Sequence, residues 1–334
     1  MVTLKDRNEE CENWKSILRQ SYMSWRDLVK YLAIENKLIE NECFYSPTFP
    51  LRVTRQYASR IEKGNPNDPL FRQIVPLAAE QNLDSLYTDD PVGEFGRSQN
   101  QSLLITKYKG RALMIATGSC AIHCRYCFRK NFPYTEKSGY QKTIEALQEL
   151  KTNVDINELI ISGGDPLTLD DSKIQNILET VYNYDHIRRI RFHSRVPIVF
   201  PPRITPRFLE ITRQYASKLV LVTHINHPQE IDAEVSRAIN LLRNQKIILL
   251  NQSVLLSGVN DNLNTLLALS NKLFTVGILP YYMHMLDKVT GSAHYNVSRS
   301  TAKSLQKELY ELLPAYLVPR FVEEIPNRAS KIPI

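Results

Sequence analysis

Glycine is scarce in this 334-residue chain, with 11 residues, so two adjacent glycines carry more information than usual. Cysteine is scarcer, with five, and an odd number cannot all pair. The N-terminus is polar and mixed in charge and has no apolar core of a secretory signal. No apolar run approaches the roughly 20 residues of a membrane span. These absences argue against a disulfide-stapled secreted domain and a membrane protein, and make a reducing cytoplasm the expected location. The net charge is +7, yet no block of consecutive Lys or Arg stands out. The excess favours small anionic partners such as phosphorylated cofactors over direct nucleic-acid binding.

What is present is a concentration. Cys120, Cys124 and Cys127 place three of the five cysteines within eight positions. Thiolates at this spacing on a loop can converge on one soft metal centre. Three ligands leave one iron of a four-iron cluster open, as a catalytic site needs. A disulfide, a zinc site completed by His123, and coincidence are the competing readings.

Residues 1–95 read as helical segments joined by Pro/Asn/Asp turns, with no evident chemistry. Trp14, Ile17, Leu18, Tyr22, Trp25, Leu28 and Leu32 recur at helical spacing, and further helices are expected over 53–62 and 70–80. Cys11 and Cys43 have no companions nearby and read as ordinary thiols. From residue 110 the pattern becomes strand, loop, helix, repeated about six times, which implies a parallel sheet with helical crossovers. That length suits a three-quarter barrel, with chemistry on the loops after the strands. The expected division is 1–95 helical, 96–315 partial barrel and 316–334 a C-terminal segment.

Two further stretches stand out. Ser162-Gly163-Gly164-Asp165-Pro166 joins an apolar strand to a Gly-Gly turn, where a ligand could approach the backbone and Asp165 could receive an amine. An ordinary strand-to-loop turn explains it as well. Near the end stands Ser330-Lys331; taken alone, such a lysine is a solvated surface charge.

Together these stretches resemble the lysine 2,3-aminomutase family of radical S-adenosylmethionine (SAM) enzymes. The resemblance spans nearly the whole chain. It is carried by the cysteine loop, Ser162-Gly163-Gly164-Asp165, Lys63-Gly64-Asn65-Pro66-Asn67-Asp68-Pro69-Leu70, Pro202-Arg203-Ile204-Thr205, Asn226-His227-Pro228, Asn251-Gln252-Ser253-Val254, Pro280-Tyr281-Tyr282 and Ser330-Lys331. Cys127-Phe128-Arg129-Lys130-Asn131-Phe132-Pro133-Tyr134, and a chain that stops just past the lysine, resemble the short EpmB-type branch of the elongation factor P β-lysylation pathway. The implied fold is α/β, a partial (β/α)6 TIM-like barrel of the radical SAM type with an N-terminal helical extension.

The resemblance implies three cofactors: a [4Fe–4S] cluster on Cys120, Cys124 and Cys127, SAM, and pyridoxal 5′-phosphate (PLP). Lys331 falls on the family's Schiff-base lysine and Arg111 on an arginine that contacts the PLP phosphate. Arg203 is a weaker match for an anionic cofactor group. Gly163, Gly164, Asp165, His224 and Gln252 match positions around SAM. Arg129 falls on the arginine that binds the substrate carboxylate, bidentately as a guanidinium can. Asp287 and Glu324 fall on the carboxylates that bind the substrate ε-ammonium. Glu324 departs from the clostridial Asp, and Tyr126 replaces a clostridial histidine. Clostridial-type members continue into a zinc-binding cysteine cluster that helps assemble the oligomer; with no cysteine after Cys127, neither is expected here.

The implied reaction is conversion of free (S)-α-lysine to (R)-β-lysine by radical 1,2-amino migration. It requires an external one-electron reductant of flavodoxin or ferredoxin type. The product would supply modification of elongation factor P through its lysyl-synthetase-like ligase. The alternatives are a 2,3-aminomutase acting on another amino acid such as arginine, and a non-catalytic iron–sulfur protein.

Overall fold

The structure is a computed structural model that describes residues 13–35, 37, 39–95, 103–326 and 328–334; Cys11 lies outside them. Among the described residues nine strands form one sheet in sequence order. At its centre lie β2 (Arg111–Thr117), β3 (Glu158–Gly163), β4 (Arg189–Ser194), β5 (Leu219–His224), β6 (Ile248–Val254), β7 (Leu279–His284) and β8 (Arg320–Glu323). Each of these pairs parallel with the next. Short antiparallel strands flank them: β1 (Leu104–Ile105) beside β2 and β9 (Ile332–Pro333) beside β8. Six helices make the crossovers: α1 (Tyr140–Thr152), α2 (Asp171–Tyr182), α3 (Pro206–Gln214), α4 (Ala233–Asn244), α5 (Leu263–Val276) and α6 (Arg299–Leu312).

Parallel strands in sequence order, each returned by a helix, are the winding of a barrel. Among the described residues no pairing joins β9 to β1, so the sheet stays open after six βα units and a seventh strand. This is the partial-barrel order expected from the alternating pattern.

Local chemistry sets these boundaries. β3 is buried throughout, as an apolar strand between helical layers must be. Side chains cap the helices: Thr205 accepts from the Phe208 amide, Asp232 from Val235, Asn262 from Thr265 and Ser298 from Thr301. Asp232 starts α4 after a separate turn at Pro228–Glu230.

The N-terminal third differs more. The expected 53–62 helix is only Arg55–Ala58. The expected 70–80 helix is split into Pro69–Arg72 and a 3-10 turn at Ala78–Gln81, because Pro76 has no N–H for a continuing helix. Tyr22 leaves the helical run to exchange backbone hydrogen bonds of 2.7 and 3.0 Å with Val53. β8 and β9 continue the sheet, because their backbone groups pair with β7 and with each other.

Candidate functional site: a cysteine loop over a charged bore

The cysteine loop leaves the C-terminal end of β2 and packs on the end of β3. Gly164 N–H donates to Thr117 O at 2.7 Å and Asp165 N–H to Ser119 O at 2.7 Å. A Cβ on Gly163 would lie 2.2 Å from Thr117 O, and one on Gly164 2.3 Å from Ser119 O. Gly163 also has φ of +136°. The Gly-Gly pair is therefore required by contact with the cysteine loop itself.

The N-terminal third supplies the loop's platform, a role its sequence did not suggest. His123 N–H donates to Arg52 O at 3.0 Å and Arg125 N–H to Gln73 O at 2.9 Å. His123 Nδ1 lies 2.7 Å from Pro50 O, and its ring stacks on Phe49. Arg125, wholly buried, donates to both carboxylate oxygens of Glu80 at 2.9 and 2.6 Å.

Burial pushes the Cys120 thiol well up, with Cys127, Asp165 and Cys124 adding to the effect. Burial and then Cys124 push Cys127 up to about 11. The three thiols thus crowd one another, and a metal that takes them as thiolates relieves that crowding. Among the described residues no three His, Cys, Asp or Glu are gathered on one ion. A cubane instead needs one thiolate at each of three iron corners. Arg195, at the end of β4, adds a cation to this donor set and donates from Nη1 to Cys124 Sγ at 2.8 Å. It also donates to Tyr126 OH, Gln73 Oε1 and Glu230 Oε2 at 2.9, 2.7 and 2.8 Å. By contrast Cys43 is an inert buried thiol, pushed up to about 12 by burial.

Asp165 accepts from Ser194 Oγ and Arg195 N at 2.7 Å each, and from Leu167 N and Val196 N at 3.0 and 3.1 Å. Burial still pushes its carboxyl up to about 6. His224 Nε2 lies 2.9 Å from Tyr126 OH and the two rings stack; burial and then Arg195 hold the imidazole neutral. Gln252 sits opposite His224 in the β5–β6 pairing.

A second group comprises His193, His284, Asp287, Glu324 and Lys331, whose charges act on one another. Lys331 is ion-paired with Glu324, which also pairs with Lys107 and accepts from Tyr108 OH at 2.6 and 2.7 Å. Burial alone would raise Glu324, but Lys331 and the hydrogen bonds from Lys107, Lys331 and Tyr108 win, holding it down at about 2. The Arg111 guanidinium lies 4.9 Å from the Tyr108 ring centroid, one ring away from this cluster. Burial drives His284 down to about 3, with Lys331 adding to it, and holds His193 well below its usual value. Among the described residues the buried His193 Nε2 has no hydrogen-bond partner. Two neutral histidines, an unsatisfied ring nitrogen, a lysine and Arg111 fit an anionic aromatic cofactor.

Asp287 contrasts with Glu324. Among the described residues its carboxylate has no hydrogen bond and no ion pair. Burial raises it to about 7; Lys331 and Lys107 pull down and Glu324 and Glu94 push up. Arg129 meets Glu94 side-on, Nε to Oε2 at 2.7 Å and Nη2 to Oε1 at 2.8 Å, and donates from Nη1 to Ser162 Oγ at 3.1 Å. Burial disfavours its charge, but Glu94 outweighs burial and holds the guanidinium pKa above its usual value. Arg203 is set apart: wholly buried, it donates to Leu167 O at 2.7 Å and Leu169 O at 3.1 Å and pairs with Asp171 at 2.7 Å. Sequence reading missed Glu94, Arg195, Glu80 and Lys107, because each acts through a partner remote in sequence.

A three-cysteine loop after the first parallel strand of an open βα barrel defines a radical SAM enzyme. The family model described as "4Fe-4S single cluster domain" matches residues 109–191, from just before β2 into β4. The L-lysine 2,3-aminomutase of Escherichia coli (strain K12) is 41% identical over 339 residues, covering 100% of this chain and 97% of the relative. That of Buchnera aphidicola subsp. Baizongia pistaciae is 41% identical over 337 residues, covering 99% and 98%. That of Clostridium subterminale is 30% identical over 324 residues, covering 96% and 77%. A solved structure of Streptococcus suis SuiB bound to S-adenosylmethionine aligns with 66% of this chain and 51% of its own at 14% identity, with a TM-score of 0.47, too distant to inform the site. The chain belongs to the L-lysine 2,3-aminomutase family of radical SAM isomerases. Among the described residues no helix is long and apolar enough to cross a membrane.

Proposed function

We propose that this enzyme converts (S)-α-lysine to (R)-β-lysine in the cytoplasm, using PLP, SAM and a cluster on Cys120, Cys124 and Cys127. The observation that carries the substrate is the contrast between the two bore carboxylates. Glu324 is saturated by Lys331, Lys107 and Tyr108, whereas among the described residues the half-buried Asp287 has no ion pair and its carboxyl is raised to about 7. An unpaired, partly buried carboxylate is stabilised by an incoming ammonium group. A glutamate side chain would meet repulsion there.

When bound, the reduced cluster and SAM supply a hydrogen-abstracting 5′-deoxyadenosyl radical, and PLP carries the migrating nitrogen. Cys120, Cys124 and Cys127 would hold the cluster, and Gly163, Gly164, Asp165, His224 and Gln252 line the SAM side. Lys331 would hold PLP, and Arg111 its phosphate. Lys331 needs a counter-ion when it is released as ammonium, and its ion pair with Glu324 suits that role. Arg129 takes the substrate α-carboxylate, and Asp287 takes the ε-ammonium at the other end. Fixing both ends places the β-carbon and excludes water from the reaction. The reading extends to supply of β-lysine for modification of elongation factor P through its ligase, with a flavodoxin- or ferredoxin-type reductant.

The test is anaerobic reconstitution with iron, sulfide, PLP, SAM and reductant, followed by chromatography of products from lysine, ornithine, arginine and glutamate. β-Lysine is expected as the main product. Arginine turned over faster than lysine would overturn the substrate assignment.

A further inference from the structure

Arg129 is the residue read above as the seat of the substrate carboxylate, and the inference rests on that reading. In the resting protein the seat is taken. Glu94 presents both oxygens to the side-on edge of the guanidinium, at 2.7 and 2.8 Å, with both side chains about one-tenth exposed. This is the fork-to-fork geometry in which an amino-acid carboxylate would bind, and one edge accommodates one carboxylate.

Glu94 arrives on a strap, residues 88–95, that is tied to two neighbouring loops. Thr88 N–H donates to Lys288 O at 2.9 Å and Thr290 N–H to Thr88 O at 3.1 Å, which ties the strap to the loop carrying Asp287. Asn131 Nδ2, four residues past the last loop cysteine, donates to Asp89 Oδ1 at 2.7 Å. Asp90 accepts from the Glu94 and Phe95 amides at 2.8 Å each. The strap backbone is thus fixed at its base by bonds that do not involve the Glu94 side chain. That side chain can leave Arg129 by rotating about its own bonds, with the backbone in place.

The geometry points to Glu94 as a placeholder: it occupies the carboxylate seat on Arg129 in the resting enzyme and is displaced by the substrate's α-carboxylate. Charge favours exchange over addition. Glu94 and Glu324 already act unfavourably on the Asp287 carboxylate. A second carboxylate added beside Glu94 would put two negative charges on one guanidinium within reach of Asp287. Exchanging one carboxylate for another leaves that sum unchanged, and the substrate's ammonium then offsets Asp287. Without the placeholder the resting guanidinium would be buried and unpaired, a costly state. The arrangement therefore also selects: a ligand that lacks a carboxylate has nothing with which to replace Glu94.

The test measures L-lysine affinity by anaerobic calorimetry on enzyme reconstituted with cluster and PLP, with SAM omitted so that no turnover occurs. Glu94→Gln should tighten lysine binding by about tenfold or more, because the competitor has lost its charge. Glu94→Asp, too short to span both nitrogens, should give a smaller tightening, and it carries the test if Glu94→Gln fails to fold. Arg129→Gln should weaken binding by more than about tenfold. Unchanged or weaker lysine binding in the folded Glu94 variants would overturn the placeholder and make Glu94 a fixed buttress of Arg129. Unchanged binding in Arg129→Gln would instead sink the carboxylate reading on which the placeholder rests.

Discussion

Glu324 and Lys331 face each other across the antiparallel pairing of β8 and β9 and form an ion pair. The register, Val322 with Pro333 and Glu323 with Ile332, extends to this pair. Their separation of seven residues is thus the span of the turn between the two strands, and it brings Lys331, the proposed PLP lysine, back beside β8. Lys331→Ala should lose the visible absorbance of bound PLP and the borohydride-trapped lysine adduct. Peptide mass spectrometry that finds the reduced adduct on another lysine would refute the assignment.

Asp287 gives a pH signature. An unfolded aspartate titrates near 3.9, and the folded one at about 7. Between those values the folded state holds a proton that the unfolded state has lost. Its contribution to stability therefore falls as pH rises across that window. Asp287→Asn should flatten this part of the stability profile in chemical denaturation. Binding of a cationic substrate needs the ionised form, so lysine affinity should rise with pH through about 7 in the wild type and not in Asp287→Asn. The same variant should lower lysine turnover by roughly ten- to a thousandfold. Wild-type turnover would place ε-ammonium recognition elsewhere.

The cysteine loop separates ligand thiols from ordinary ones. Cys120→Ala, Cys124→Ala or Cys127→Ala should each abolish the roughly 400 nm iron–sulfur absorbance and all mutase activity. Cys43→Ala should do neither, since that thiol is buried in the apolar core. Iron content after anaerobic reconstitution checks both.

Glu80 tests the platform beneath the loop. Its pair with Arg125 is almost fully buried, with side-chain exposures of 4% and 1%. Glu80→Gln leaves that guanidinium unpaired and should cost about 3–5 kcal/mol of stability, measured by denaturant titration. A change below about 1 kcal/mol would mean that the loop does not depend on this anchor.

The barrel was legible because its strands are short apolar runs ending in polar residues and its crossover helices carry side-chain caps. Ile160, Ile161 and Ser162 leading into Gly163 illustrate the first, and Ser298 before α6 the second. The cysteine spacing is local, so it too could be read directly. The N-terminal third could not: Pro76 and the Tyr22–Val53 bridge break helical spacing for reasons that arise only in the folded chain. Nor could the partners of the site residues. Glu94 lies 35 positions from Arg129 and Arg195 lies 71 from Cys124, and nothing in either local sequence announces the pairing.

The central claim is a radical amino migration within one closed site, and isotope transfer tests it most directly. L-Lysine carrying deuterium at its β-carbon is incubated anaerobically with the reconstituted, reduced enzyme and SAM, and the products are analysed by mass spectrometry. The account predicts β-lysine carrying deuterium at the carbon that lost nitrogen, together with deuterium in the 5′ position of recovered SAM. β-Lysine formed with all its deuterium still on the original carbon, and unlabelled SAM, would contradict it.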